Sequence, residues 1–547
     1  PAFDEFGQLS SGLATAFADA GLAMWLLGIG GLLVPIAGLR PTLRIPLALI
    51  TGAGWTAGLG ILHLPGLLGP VATTSGALLA GRLLARRGVS TGWRVKDIPA
   101  IASAAVTTLV ISVLIRAQGL VVLSPDSYDY WTTARALSAG TLVSADIDLK
   151  RPAGLAAIHS PGFLLGAEGF LSIGALLLMA GTIVLVALPR ALGYRSRLST
   201  LAGVVVGGLA LSSAQLLTMA LYLNTHVLVA GLLLSVAVFG LLQERNRLSE
   251  RSVVVPVVAA LMGLTMLRAE AVLLAGLVLV GVVAMDALRF EQGRRSFTWR
   301  SAIRVSGSML VIAAAVHGTA SWAQTGRLSL PELLVGVGGT CISLAPSVLV
   351  RIQSATLRRL PAIVACALWA GAGALLFTPL GAEIDFLEAT RANLWAGFGG
   401  WGTTAPLLAG FAVAASVSTS TVGLASIARW LLIGFVPSAL FAKIADGSQS
   451  AEGAAGLTDV LLSGGGRIGW GDSVNRMWMH IALVVLLLVL VAVLERLSAS
   501  ERNRVDKRRA AQWTVFLVGV IAMAEAGNVG YDAYIALGCV IRGETSH

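Results

Sequence analysis

"IPAIASAAVTTLVISVLIRAQGLVVLSPDSYDYWTTARALSAG", Ile98 to Gly140, decides the fold class. Its first half runs from Ile98 to Ile115 without a charge, and an apolar run of about 20 residues crosses the roughly 30 Å of bilayer hydrocarbon. We read a membrane span over 98–118. Its second half changes character at once, with Asp126, Tyr128, Asp129, Tyr130 and Trp131 in quick succession. Tyr130, Ala134 and Leu137 recur at helical spacing, which predicts an amphipathic helix lying on the membrane surface. A span that delivers the chain directly into an acidic, aromatic surface helix belongs to a polytopic membrane protein.

The rest of the chain agrees. Of 547 residues, 56% are hydrophobic and 12% charged, and the mean hydropathy of +0.83 lies far outside the range of soluble domains. Apolar runs recur at 17–39, 46–63, 65–82, 98–118, 160–188, 198–214, 222–242, 253–267, 271–288, 305–324, 333–350, 361–380, 403–425, 430–445, 477–495 and 511–530. They predict an all-α bundle of about sixteen spans. The 64 glycines suit close backbone approach between membrane helices. The opening "PAFDEFGQ" has no basic stretch ahead of an apolar core and does not read as a secretory signal.

The net charge of +11 could signal nucleic acid, but its placement says otherwise. The basic residues collect in alternate short loops, such as Arg40 with Arg44, "GRLLARRGVSTGWRVK", "ERNRLSER" and "RFEQGRRSFTWR", so they read as topology signals on the cytoplasmic side. No nucleic-acid partner is expected. That orientation puts loops at about 119–158, 381–402 and 444–476 on the extracytoplasmic face of a bacterial cytoplasmic membrane. "LLSGGGRIGWGDSVNRMW" in the last of these reads as a flexible loop over a cavity, since it lacks the strand and Lys of a phosphate-binding loop. Cys341, Cys366 and Cys539 lie in or near apolar segments and read as packing residues. The six histidines form no metal set. Intramembrane carboxylates arranged as a proton relay are not evident, Glu168 and Glu525 lying near helix ends rather than deep inside.

The stretch "DSYDYWTTARALSAG" followed by "DIDLKRPAGL" resembles the first extracytoplasmic loop of GT-C fold glycosyltransferases. These are the polyprenyl-phosphate-sugar-dependent enzymes that include protein mannosyltransferases and mycobacterial arabinosyl- and mannosyltransferases. "LTMLRAEAVLL" resembles part of that family's core, and "GWGDSVNRMWMHIALVVLLLV" its ending, where an Arg precedes a membrane helix. The resemblance covers roughly 98–300 well and 464–497 weakly. It implies a GT-C-like core over 98–547, preceded by an extension of about three spans over 1–97. The pattern departs from the family's adjacent acidic pair, since Asp126 and Asp129 are three apart.

The resemblance implies transfer of a sugar from a polyprenyl-phosphate donor to an extracytoplasmic glycan, glycolipid or protein acceptor, by inversion. Such chemistry needs a carboxylate to take the acceptor's proton and positive charge beside the departing phosphate. Asp126 is the candidate base, and Asp129 orients the acceptor or, with Asp126, holds a divalent cation; no other cofactor is expected. Asp126 also suits a helix N-cap. Arg268 and Arg476 are candidates for the donor phosphate. Tyr128, Tyr130, Trp131, Glu270 and His159 are candidates for substrate contact. The bland alternatives stay open: an interfacial aromatic belt, an Arg268–Glu270 charge pair, and Arg476 snorkelling to the interface. Two other classes also stay open, a lipid or solute transporter and a non-catalytic subunit of an envelope complex.

Overall fold

The computed structural model describes residues 5–117, 125–141, 153–166, 172–212, 214–221, 223–267, 330–351 and 470–502, with a few isolated positions between 307 and 374. The regular structure of these residues is helical: α1 (Glu5–Leu33), α2 (Pro41–Leu59), α3 (Leu68–Arg86), α4 (Ile98–Ala117), α5 (Pro125–Ala139), α6 (Gly154–Leu164), α7 (Ile173–Ala191), α8 (Arg197–Ser212), α9 (Ala214–Leu221), α10 (His226–Glu244), α11 (Glu250–Leu267), α12 (Leu330–Arg351) and α13 (Trp470–Arg502). Among the described residues, five segments are long and apolar enough to cross a membrane: Leu13–Leu33, Pro41–Leu62, Val95–Ala117, Ile173–Ala191 and His226–Gln243. Arg197–Leu211, Arg251–Leu267 and Met479–Glu495 are shorter apolar helices. The chain is therefore a helical membrane protein.

Helix α2 stands at the centre, packed against α1, α6, α7 and α11. Its contact with α1 is close because small residues meet backbone. A Cβ on Gly30 would collide with the carbonyl oxygen of Ala48, and one on Gly52 with that of Leu26. Without a hydrophobic force between helices inside lipid, such close dispersion contact is what joins them. Gly52→Val is expected to lower stability by about 1–3 kcal/mol, read as a lower unfolding midpoint in detergent. An unchanged midpoint would mean that α1 and α2 do not meet at Gly52. Two indoles fix α3 to this pair: Trp25 Nε1 donates to Thr74 Oγ1 and Trp55 Nε1 to the Thr73 carbonyl, each at 3.1 Å.

The bundle has two chemically different ends. At one, the turns after α1, α3, α7 and α10 converge. Ile36 N–H donates to the Ser90 carbonyl at 2.9 Å, and Arg247 Nη2 donates to the Leu192 carbonyl at 3.0 Å. Most described basic residues are in these turns or in the helix ends that flank them. Here Arg44, buried in the first turns of α2, donates from Nη1 to Asp97 Oδ2 at 3.2 Å, and from Nη2 to the carbonyls of Gly31, at 3.3 Å, and Gly92. The Arg44 guanidinium lies 4.4 Å from the Trp93 ring centre. At the other end lie α5 and α6 and the starts of α7 and α10.

Helices α10 and α13 run parallel, pinned at both ends. His226 Nδ1 lies 2.7 Å from His480 Nε2, and Arg245 pairs with Glu495. One charge pair and one imidazole pair thus bracket a seam that is apolar throughout on the α13 side.

Several expectations need correction. The run 160–188 is not one span but the end of α6 and most of α7, separated around Gly166, whose φ of +88° ends α6. Arg44 is not a loop charge; it is buried in α2 with an acidic partner. The expected flexible loop 444–476 is helical from Trp470 onward. Cys341 is exposed rather than packed, and Asp19 is a fully buried carboxylate inside the first span. Helix α3 forms where a span was expected at 65–82, but it is not among the five long apolar segments. Helices α12 and α13 cover the runs expected as spans at 333–350 and 477–495, and neither is among the five long apolar segments. Those at 271–288, 305–324, 361–380, 403–425, 430–445 and 511–530 lie wholly or largely outside the described residues, as does the loop at 381–402. The expected extension 1–97 shares its core with the helices that follow.

Candidate functional site

Pro125 opens α5, a position where its missing N–H costs nothing. The side chains of Tyr130, Ala134 and Leu137 are buried, the stripe that the sequence spacing predicts, and Ser127 extends it by one turn. Ser127 Oγ donates to the Leu223 carbonyl at 3.3 Å, which docks the start of α5 on the turn ahead of α10. The stripe also packs α5 against α6.

The opposite side of α5 carries chemistry. Tyr128 is 53% exposed and Asp129 is exposed. Trp131 is half-buried, edge-on to Phe163 of α6 with ring centres 6.0 Å apart, and the Arg135 guanidinium lies 5.4 Å from its ring centre. Asp126 stands in the first turn of α5, four positions before Tyr130; its side chain lies outside the described residues. The Tyr130 ring, expected to stack on a sugar, is instead part of the core at 6% exposure.

His159 of α6 is buried, and burial pushes its pKa from 6.5 down to about 4. It is therefore a neutral imidazole at neutral pH. Because the folded value lies below the unfolded one, its contribution to stability is present above about pH 6.5 and is lost as pH falls toward 4, at most about 3 kcal/mol. His159→Gln is expected to flatten the fall in unfolding midpoint across that window. An identical pH slope in the variant and the parent protein would assign the acid sensitivity to other groups.

Arg268 and Glu270 directly follow the last residue of α11 and lie outside the described residues. Arg476 is in α13, four positions before His480, with its side chain also outside them. The structure thus gathers Asp126, Tyr128, Asp129, Trp131 and His159 on two adjoining helices. Among the described residues no group of three or more His, Cys, Asp or Glu converges as a metal site.

Two polar clusters at this end were not read from sequence. In the first, Asp19 of α1 accepts through Oδ2 from Arg116 Nη2 at 3.0 Å and from Ser112 Oγ, both of α4. Its Oδ1 accepts from the Ser172 backbone N–H at 3.0 Å, just before α7. The signal was available: a lone Asp in an apolar stretch, "ATAFADAGLAMWLL", is costly in a membrane and calls for a partner. The second is the buried His226–His480 pair, with ring centres 4.9 Å apart. At 2.7 Å one ring nitrogen must donate to the other. Nothing in the local sequence marks two residues 254 apart as partners.

No family model, no curated protein and no solved structure matches this chain.

Proposed function

We propose that the chain is an integral membrane glycosyltransferase of GT-C type. It takes a sugar from a polyprenyl-phosphate donor and adds it, with inversion, to an extracytoplasmic acceptor of the cell envelope, a glycan, glycolipid or protein. The observation that carries this reading is the order of elements around α5. A sparsely buried apolar helix, α4, leads to two short helices docked over one end of the bundle, and a second apolar helix, α7, leads away. The first short helix bears acidic and aromatic residues on its open side. That order matches the loop whose sequence resembles the family's.

Asp126 is the proposed base, taking the acceptor hydroxyl's proton as its oxygen attacks the anomeric carbon and the bond to the lipid phosphate breaks. Asp129 orients the acceptor. Tyr128 and Trp131 offer the ring surfaces for the sugar. His159, buried on α6 beside α5, meets the substrate as a neutral imidazole rather than as a cation. Arg268 and Arg476 are assigned to the phosphate, which leaves as an anion. About sixteen spans, with α5 and α6 on the extracytoplasmic face, complete the reading.

One observation favours a transporter: the Asp19–Arg116 and His226–His480 pairs put polar groups inside or at the ends of apolar helices. A single experiment separates the readings. Purified protein in lipid nanodiscs is given polyprenyl-phosphate-linked [14C]mannose or arabinose with an envelope glycolipid acceptor. Sugar on the acceptor and free polyprenyl phosphate in equal amounts are expected. Translocation of the same lipid in proteoliposomes without any transfer would replace the enzyme with a flippase.

A further inference from the structure

We propose that Asp19 is the positioning residue of the α5–α6 segment, with one carboxylate on α1 fixing both the exit of α4 and the entry of α7. The bonds are those from Ser112 and Arg116 to Oδ2 and from the Ser172 N–H to Oδ1. Arg116 is the penultimate residue of α4, and Ser172 immediately precedes α7. Between these two tethers the chain carries both α5 and α6, and with them Asp126, Tyr128, Asp129, Trp131 and His159.

Among the described residues, packing does little to fix α4. Only 17% of the α4 span is buried, against 61% for the α1 and α7 spans, so α4 rests on the bundle along a narrow strip. Lipid is as apolar as the α4 surface, and little dispersion energy opposes a tilt of that helix. A buried carboxylate with three donors does oppose it. Moving α4 or the start of α7 would leave Asp19, fully buried, with an unmet charge. A purely apolar position 19 would hold α1 to its neighbours but would not specify where each ends. The tether also gives the N-terminal extension a role, because its first helix sets the geometry of a site built by later ones.

The inference rests on the transferase reading for its catalytic consequence and not for its structural one, and the test keeps the two apart. Amide hydrogen exchange is measured by mass spectrometry on nanodisc-embedded parent, Asp19→Glu, Asp19→Leu and Asp19→Leu/Arg116→Met proteins. The double variant removes both charges, so it folds without an uncompensated buried ion. In both Leu variants, exchange in α5 and α6 is expected to rise about tenfold or more while α10 and α11 hold their parent rates. Asp19→Glu is expected to restore most of the protection. Unchanged exchange in α5–α6 of the folded double variant overturns the proposal, and so does an equal rise in α10 and α11, which would make Asp19 a general stability residue. In the transfer assay, the double variant is expected to lower kcat about tenfold with donor KM within about twofold. An unchanged kcat in the folded double variant, or a loss of kcat in Asp19→Glu as large as in the double variant, would remove the positioning role. If exchange responds as expected and no protein transfers sugar, positioning by Asp19 stands and the transferase reading falls.

Discussion

Asp126→Asn is expected to cut sugar transfer by about 100- to 10,000-fold, the range that a positioned general base supplies, with insertion and folding unchanged. Asn keeps the size and the helix-capping capacity of Asp while losing the basic oxygen. The anchoring of α5 does not depend on this side chain: Ser127 bonds to the Leu223 carbonyl, and Tyr130, Ala134 and Leu137 fill the seam against α6. A loss of activity would therefore report chemistry rather than a displaced helix. The position also suits a carboxylate that must stay ionised, since the first turn of a helix stabilises negative charge. Asp129→Asn is expected to cost about tenfold, because Asp129 sits one turn further on, where it can align a hydroxyl. Initial transfer rates in nanodiscs, with exchange mass spectra confirming intact α5, measure both. Full transfer by a well-folded Asp126→Asn protein would sink the base assignment.

What was legible in the sequence was whatever repeats over short distances. The apolar run that becomes α4, and the Tyr130, Ala134, Leu137 stripe that buries α5, follow from hydropathy and from 3.6-residue periodicity. The gathering of described basic residues at one end was legible for the same reason, because the turns there are short enough to be read whole.

The break between α6 and α7 was hidden, since α6 runs through Pro161 and Gly162 and ends only ahead of Gly166, whose left-handed turn leaves no mark in the hydropathy. Partnerships across the fold were hidden more deeply. Asp19 meets Arg116 97 residues later, and His226 meets His480 254 residues later. Periodicity carries no information about such pairs. Arg44 shows the cost of reading by rule. An arginine at the mouth of a span looks like a topology signal, yet the next loop in space supplies Asp97, and the charge is drawn into the core.

That pair carries the second large effect. Arg44→Leu is expected to destabilise the protein by about 3–5 kcal/mol, because it leaves Asp97 almost fully buried without its cation. The Arg94 N–H still donates to Asp97 Oδ2 at 3.1 Å, but one neutral donor does not replace a guanidinium. The same change also frees the carbonyls of Gly31 and Gly92 from Arg44 Nη2 and uncovers the face of Trp93. Gly31 retains the Gly92 N–H at 2.8 Å, so the turn between α3 and α4 loosens from α1 without losing every bond. Arg44→Met with Asp97→Leu removes the stranded charge and is expected to recover more than half of the loss, since an apolar pair of similar volume often matches a buried ion pair. Unfolding midpoints in detergent for the parent, Arg44→Met, Asp97→Leu and the double variant close a thermodynamic cycle. A coupling of about 2 kcal/mol or more is the expected result. A coupling near zero would mean that Arg44 acts through Gly31, Gly92 and Trp93 alone, and that Asp97 is held by its own turn.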